Sequence, residues 1–155
     1  MLIKVDENIK FSNNVLITAR DVRTGEIIHQ ERQHNLIVQD GRNLLRDLLA
    51  GNTNANISHF AVGTGGTAAT DSMSALQTEV YRQQITRMDG YNNQLQVRYF
   101  LASNEANGNT IREAGIFNGA TAGIMFAKVT QSEIIKSENI SITYIWYINI
   151  ASIGG

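Results

Sequence analysis

Apolar and polar residues alternate through much of this chain, and the alternation is strictest near its end. In ISITYIWYINI, residues 140–150, every even position is Ile, Tyr or Trp, and the odd positions are mostly Ser, Thr, Tyr and Asn. A period of two over that length predicts a strand with one packed face. It also fixes the register, because a slip of one residue would turn Trp146 outward. QLQVRYFLA, residues 94–102, alternates in the same way: Leu95, Val97 and Tyr99 oppose Gln96, Arg98 and Phe100. Residues 15–38 read as a hairpin, with Val15, Ile17 and Ala19 alternating, Thr24-Gly25 as the turn, and a return strand from Ile27-Ile28 toward Val38. ISHFAVG, residues 57–63, reads as a buried strand. Further strand signals lie in YRQQITRM, IREAGIFNG and GIMFAKVT, with Asp89-Gly90 as a turn and SNEANGNT as a loop.

One segment breaks to a helical period. In DGRNLLRDLLAG, residues 40–51, Leu44, Leu45, Leu48 and Leu49 share one face. Asp40 is placed to cap the start and Gly51 to stop the end in the left-handed conformation. Residues 76–80 could add a helical turn. The expected fold is mainly β: an antiparallel β-sandwich or barrel-like domain with one short α-helix at about 40–50. Residues 1–14, short and poorly patterned, read as an N-terminal arm, and residues 15–155 as a single β-rich domain.

Composition narrows the function. The chain has 155 residues, and only 17% are charged, where about 25% is usual. Asn, Gln, Ser and Thr must therefore build the polar surface. The net charge of −1 gives no nucleic-acid footprint. No apolar run approaches the ~18 residues that span a bilayer, and MLIKVDENIKF lacks the apolar core of a signal peptide, so synthesis in a cytoplasm is expected. There is no cysteine, hence no disulfide, thiol nucleophile or Cys-based metal site.

HFAVGTGGTAATDS, residues 59–72, raises the possibility of phosphate binding, because glycine loops after strands often cradle phosphates. A Walker loop needs a lysine that reaches the phosphates, and GTGGTAAT has no basic residue. A dinucleotide loop needs GxGxxG opening a helix, but Ala68 stands at the third glycine and no strong helix follows. Gly63, Gly65 and Gly66 are instead expected to form a strand exit with backbone angles closed to other residues. His29, His34 and His59 have no metal-ligand spacing. Glu105 and Glu113 are paired only in sequence. Arg112 and Glu113 point to opposite faces of a strand, so each is expected to pair across to a neighbouring strand or subunit. No GxSxG occurs. No catalytic, cofactor-binding or metal residues are assigned, and the chain is not expected to be an enzyme.

The order of these pieces resembles the phage tail-collar fibre family and its small virion-protein relatives. The resemblance is carried by HNLIVQDGRNLLRDLLAG, by ISHFAVGTGGTAATDSMSALQTEVYRQQITR with Glu79-Val80-Tyr81-Arg82, and by TIREAGIFNG and GIMFAKVT. It spans roughly residues 34–150, with Ile116 where the family usually has leucine. It implies a non-enzymatic virion component, a homotrimer, made in the host cytoplasm and located on the capsid exterior or the tail. The partners expected are the chain itself and the major capsid protein or tail proteins, with no nucleic acid or membrane.

Interface candidates are Tyr81, Arg82, Arg112, Phe117 and Trp146, since interfaces draw on aromatics and arginine. Phe117 and Trp146 read first as core, Arg82 and Arg112 first as interface. The chain shows no heptad seam, collagen period or repeat that could build a shaft. The first expectation is therefore a cement protein that decorates and stabilises the capsid, anchored by its arm. The alternative is a tail adaptor or tail-fibre attachment (collar) protein. A host carbohydrate-binding module comes third, because sugar stacking needs exposed aromatics and Trp146 lies on the apolar face.

Overall fold

The structure, a computed structural model, describes the backbone of residues 9–152 and the side chains of residues 13–150. Its elements in chain order are β1 (Ile9–Asp21), β2 (Ile27–His34), β3 (Leu36–Ile37), α1 (Gln39–Leu49), β4 (His59–Gly63), β5 (Glu79–Gln84), β6 (Arg87–Tyr91), β7 (Gln94–Leu101), β8 (Thr110–Phe117), β9 (Met125–Ile135) and β10 (Ile140–Ser152). The described strands form two antiparallel five-stranded sheets, ordered β2-β1-β10-β7-β6 and β3-β9-β8-β4-β5. The expected class, mainly β with one short helix, is what the chain adopts.

The two sheets face each other across an apolar core. The period-two residues of β1, β7 and β10 meet in register, with Val15 opposite Trp146 and Trp146 opposite Val97. Ile142, Tyr144, Trp146 and Ile148 are buried. From the second sheet Phe60 stacks on Tyr99 at 4.4 Å between centroids and tilts against Tyr144 at 4.8 Å. Trp146 meets Phe60 edge-on at 6.2 Å. Such pairs add roughly 0.5–1.5 kcal/mol each beyond the area they bury. β4 is apolar on both faces because it has neighbours on both: Phe60 and Val62 join the inter-sheet core, whereas Ala61 joins a second cluster with Val38, Leu76, Phe117 and Met125.

Several local expectations change. Residues 9–14 of the expected arm belong to β1, where Ile9 pairs with Ser152 and Asn14 with Tyr147. Residues 1–8 lie outside the described residues. α1 begins at Gln39 behind Val38, which makes no side-chain cap bond. Asp40 therefore sits inside the first turn, where its charge favours the helix dipole. Gly51 does take the left-handed conformation, at φ +73°. Leu44 is buried against the sheet, while Leu49 is 80% exposed. Residues 76–80 form no helical turn, because Gln77 and Thr78 give their amides to a carboxylate and β5 starts at Glu79. Asp89 and Gly90 lie within β6. The turn comes at Asn92-Asn93, between paired Tyr91 and Gln94, and Asn92 supplies the positive φ of +54°.

Candidate functional site

The glycine stretch leaves β4 and crosses the outer face of its own sheet, where one acidic and one basic side chain are wholly buried. Glu113 on β8 and Lys128 on β9 are both 0% exposed, and Lys128 Nζ lies 3.2 Å from Glu113 Oε1. Three backbone amides close on the same carboxylate. Gly65 N and Thr78 N donate to Oε2, and Gln77 N donates to Oε1, each at 2.8 Å. Desolvating a carboxylate is costly unless its lone pairs are filled, and charge-assisted bonds of this length fill them well. The loop is a concave set of N–H groups, the arrangement that elsewhere holds phosphate. Here it holds the protein's own carboxylate.

The glycines follow from this close approach. A Cβ on Gly65 would lie 2.4 Å from Gln77 Cβ and 2.6 Å from Glu113 Oε2. One on Gly63 would lie 2.4 Å from the Thr78 carbonyl oxygen and 2.5 Å from Glu113 Oε2. None of Gly63, Gly65 and Gly66 has a left-handed φ, so the expectation of special backbone angles is corrected: the requirement is space. Gly66 is free even of that, since its added Cβ would make only an ordinary 3.5 Å contact with Arg112 Cδ. Loop carbonyls are also used. The Thr67 oxygen accepts from Thr130 Oγ1 at 2.9 Å and Lys128 Nζ at 3.4 Å. The far end of the loop is tied to α1 by a bidentate pair, with both Arg42–Asp71 bonds at 2.8 Å.

The five interface candidates do not converge. Trp146 is in the inter-sheet core, 0% exposed, so it offers no surface on which a sugar could stack. Phe117 is buried under the Arg82 guanidinium, whose carbon sits 3.7 Å from the ring centroid, close enough for a cation–π contact. Arg82 also holds Glu79 in a bidentate pair at 2.7 and 3.0 Å and donates to the carbonyls of Gly119 and Ala122. It pins the loop between β8 and β9 to the edge strand β5. Arg112 reaches across to Glu133 on β9 at 2.9 Å and donates to the Thr64 carbonyl at 3.3 Å. A register shift between Ile111 and Glu113 breaks the strand alternation, so Arg112 and Glu113 both meet the glycine loop, and the expectation that they point to opposite faces is corrected. Tyr81 donates its hydroxyl to Glu105, which also accepts from Tyr99 Oη at 3.0 Å and Ala102 N at 2.8 Å. Burial and the Glu105 charge push the Tyr99 hydroxyl far above its ordinary pKa, so it stays a donor.

Among the described residues, no three His, Asp or Glu side chains gather as metal ligands, and no helix is long and apolar enough to cross a membrane. The sequence reading missed Lys128 and the Glu113 cradle. The available signal was an acidic residue, Glu113, in the largely apolar IREAGIF and a lysine, Lys128, in the largely apolar MFAKVT. It also missed an apolar groove of about 270 Å³ between α1 and the first sheet, lined by Leu45, Leu48, Asn56, Ile57, Met88, Leu95 and Phe126.

The family model for the phage tail-collar fibre protein, N-terminal, matches residues 30–146. The chain belongs to this family. No curated protein and no solved structure matches it. The tail-collar match covers the Glu113 cradle, α1 and all strands from β3 to β9, together with most of β2 and β10. It makes the chain a structural protein of the phage virion, at the tail. In this tail-collar chain the glycine loop is an internal brace: the amides of Thr64, Gly65, Thr67, Gln77 and Thr78 are already taken by the chain's own oxygens, and the loop ties β4, β8, β9 and α1 into one unit.

Proposed function

We propose that this chain is a homotrimeric tail adaptor, joining neighbouring tail proteins by surface contact and catalysing no reaction. The family match carries the reading. The disposition of the ionisable groups supports it. Glu113, Lys128, Arg82, Glu79, Glu105 and Glu31 are engaged with the chain's own atoms, and the described groove has a single polar lining residue, Asn56. A binding or catalytic pocket would need several polar groups aimed into an open cavity.

Labelling purified virions with an antibody raised against the folded chain tests the location. Label at the tail is the expected result. Label spread over the capsid lattice would overturn the adaptor reading in favour of capsid cement. Native mass spectrometry of the isolated protein is expected to show a trimer.

A further inference from the structure

The outer face of the first sheet gathers arginines that have no acidic partner. The strand register sets Arg32, Leu16, Ile145, Arg98 and Arg87 in one row across it, from β2 to β6. Arg98 and Arg87 stand directly opposite each other, a placement in which like charges repel. Arg87 is balanced by Asp89 at 2.6 Å. Arg98 is exposed and holds no carboxylate, and Arg32 has only the Tyr147 ring, 5.5 Å from its guanidinium carbon. Between these two the row is apolar, and Phe100, the next outward residue on β7, is 48% exposed. Arg20, on the same face of β1, gives its charge to no carboxylate and donates to the Gly25 carbonyl. Away from this face the other described arginines, Arg23, Arg42, Arg46, Arg82 and Arg112, each hold an Asp or Glu.

The same chain carries the matching charges at one end of the sandwich. Among the described carboxylates, Glu26, Asp40 and Glu138 have neither a cation nor a hydrogen-bond donor. Glu26 and Glu138 lie on adjacent turns, which Val22 N joins by donating to the Asn139 carbonyl at 2.9 Å. The first of these turns also exposes Val22 and, at the start of β2, Ile27. The end is thus apolar and acidic where the face is apolar and basic. Within one chain the two stay apart: β1 runs about 13 Å from Leu16 to Arg20 before the turn begins, held between β2 and β10. Packing two such faces together would set arginine against arginine. Resting on the reading that copies associate, we infer that the Glu26 and Glu138 end of one copy docks on the arginine row of the next. The contact is head-to-tail, the kind that closes into a ring. Apolar residues and an aromatic between arginines mark a protein interface, whereas a nucleic-acid surface is far more basic.

Charge reversal, read by light scattering, tests the contact. Arg32→Glu with Arg98→Glu is expected to weaken association roughly tenfold to a hundredfold, and Glu26→Arg with Glu138→Arg to do the same. All four substitutions in one chain are expected to restore it, because each contact then joins opposite charges again. Added salt is expected to weaken the parent and the restored assembly alike. A reversed face that leaves association unchanged, or a fourfold variant that stays dissociated, sinks the docking inference and leaves the oligomer reading standing. A parent that is monomeric at micromolar concentration sinks both. A reversed face that still trimerises but no longer enters virions assigns the row to another tail protein and also overturns the contact between copies. Circular dichroism checks the fold of each variant. Should the reversed face not fold, Phe100→Ala decides: weaker association is expected, and unchanged association overturns the inference.

Discussion

Glu113 and Lys128 are a buried pair whose partners cannot be exchanged for water. Removing one charge strands the other, which typically costs about 3–5 kcal/mol. Glu113→Gln is therefore expected to lower unfolding stability by that order in urea titrations. Adding Lys128→Met should recover part of the loss, since the two effects share one interaction. A double variant as unstable as the sum of its parts would mean the pair is not coupled. The glycines divide in the same experiment. Gly65→Ala must push Gln77 or Glu113 aside and should cost about 1–3 kcal/mol, whereas Gly66→Ala should stay within about 0.5 kcal/mol of the parent. The sequence exposed the glycine stretch but not the register shift that turns Arg112 and Glu113 to the same loop. It could not show that an amide cradle and a carboxylate 48 positions apart would meet, because only the pairing of β4 with β8 brings them together.

α1 shows how tertiary contact overrules local propensity. Alanine is favoured over glycine in a helix by about 1 kcal/mol, so Gly41→Ala would stabilise a free helix. In place, its Cβ would lie 2.1 Å from the Phe126 carbonyl oxygen on β9. Net destabilisation of about 1–3 kcal/mol is expected, read as a lower melting temperature. Gly51→Ala has open space around it but must hold φ near +73°, and should cost about 1 kcal/mol. Elements were legible where one face alone is buried: β10, β7 and the Val15–Ala19 part of β1 follow the period of two. They were misread where a long-range contact decides the conformation. Residues 76–80 have some helical character, but the amides of Gln77 and Thr78 go to Glu113. Asp89-Gly90 has turn chemistry, but β6 needs both residues to reach the Asn92-Asn93 turn.

Between the sheets, polar ties supplement the aromatic cluster. Near β5, Glu105 joins Tyr81 of one sheet to Tyr99 of the other. Within the core, Tyr144 Oη on β10 donates to Gln131 Oε1 on β9 at 2.7 Å. On the side of β2, Glu31 accepts from Ser132 N of β9 at 3.1 Å, and also from Gln33 Nε2 and His29 Nε2. Burial alone would raise the Glu31 pKa, but the bonds from Gln33, His29 and Ser132 outweigh it and hold the carboxyl below its ordinary value. A depressed folded pKa gives stability that is present above the unfolded value, about 4.3 for glutamate, and lost as pH falls through the folded one. Glu31→Gln should thus cost about 1 kcal/mol near pH 7, allowing for partial solvent screening. The gap between variant and parent should then close as the pH drops below about 4. The pKa values of the Asp21, Asp47 and Asp71 carboxylates are also lowered by their arginine partners. They titrate alike in both proteins and cancel in the difference, so the closing of the gap reports Glu31 itself. A gap that stays constant from pH 7 to about pH 3 would show that the β2–β9 tie does not depend on the charge.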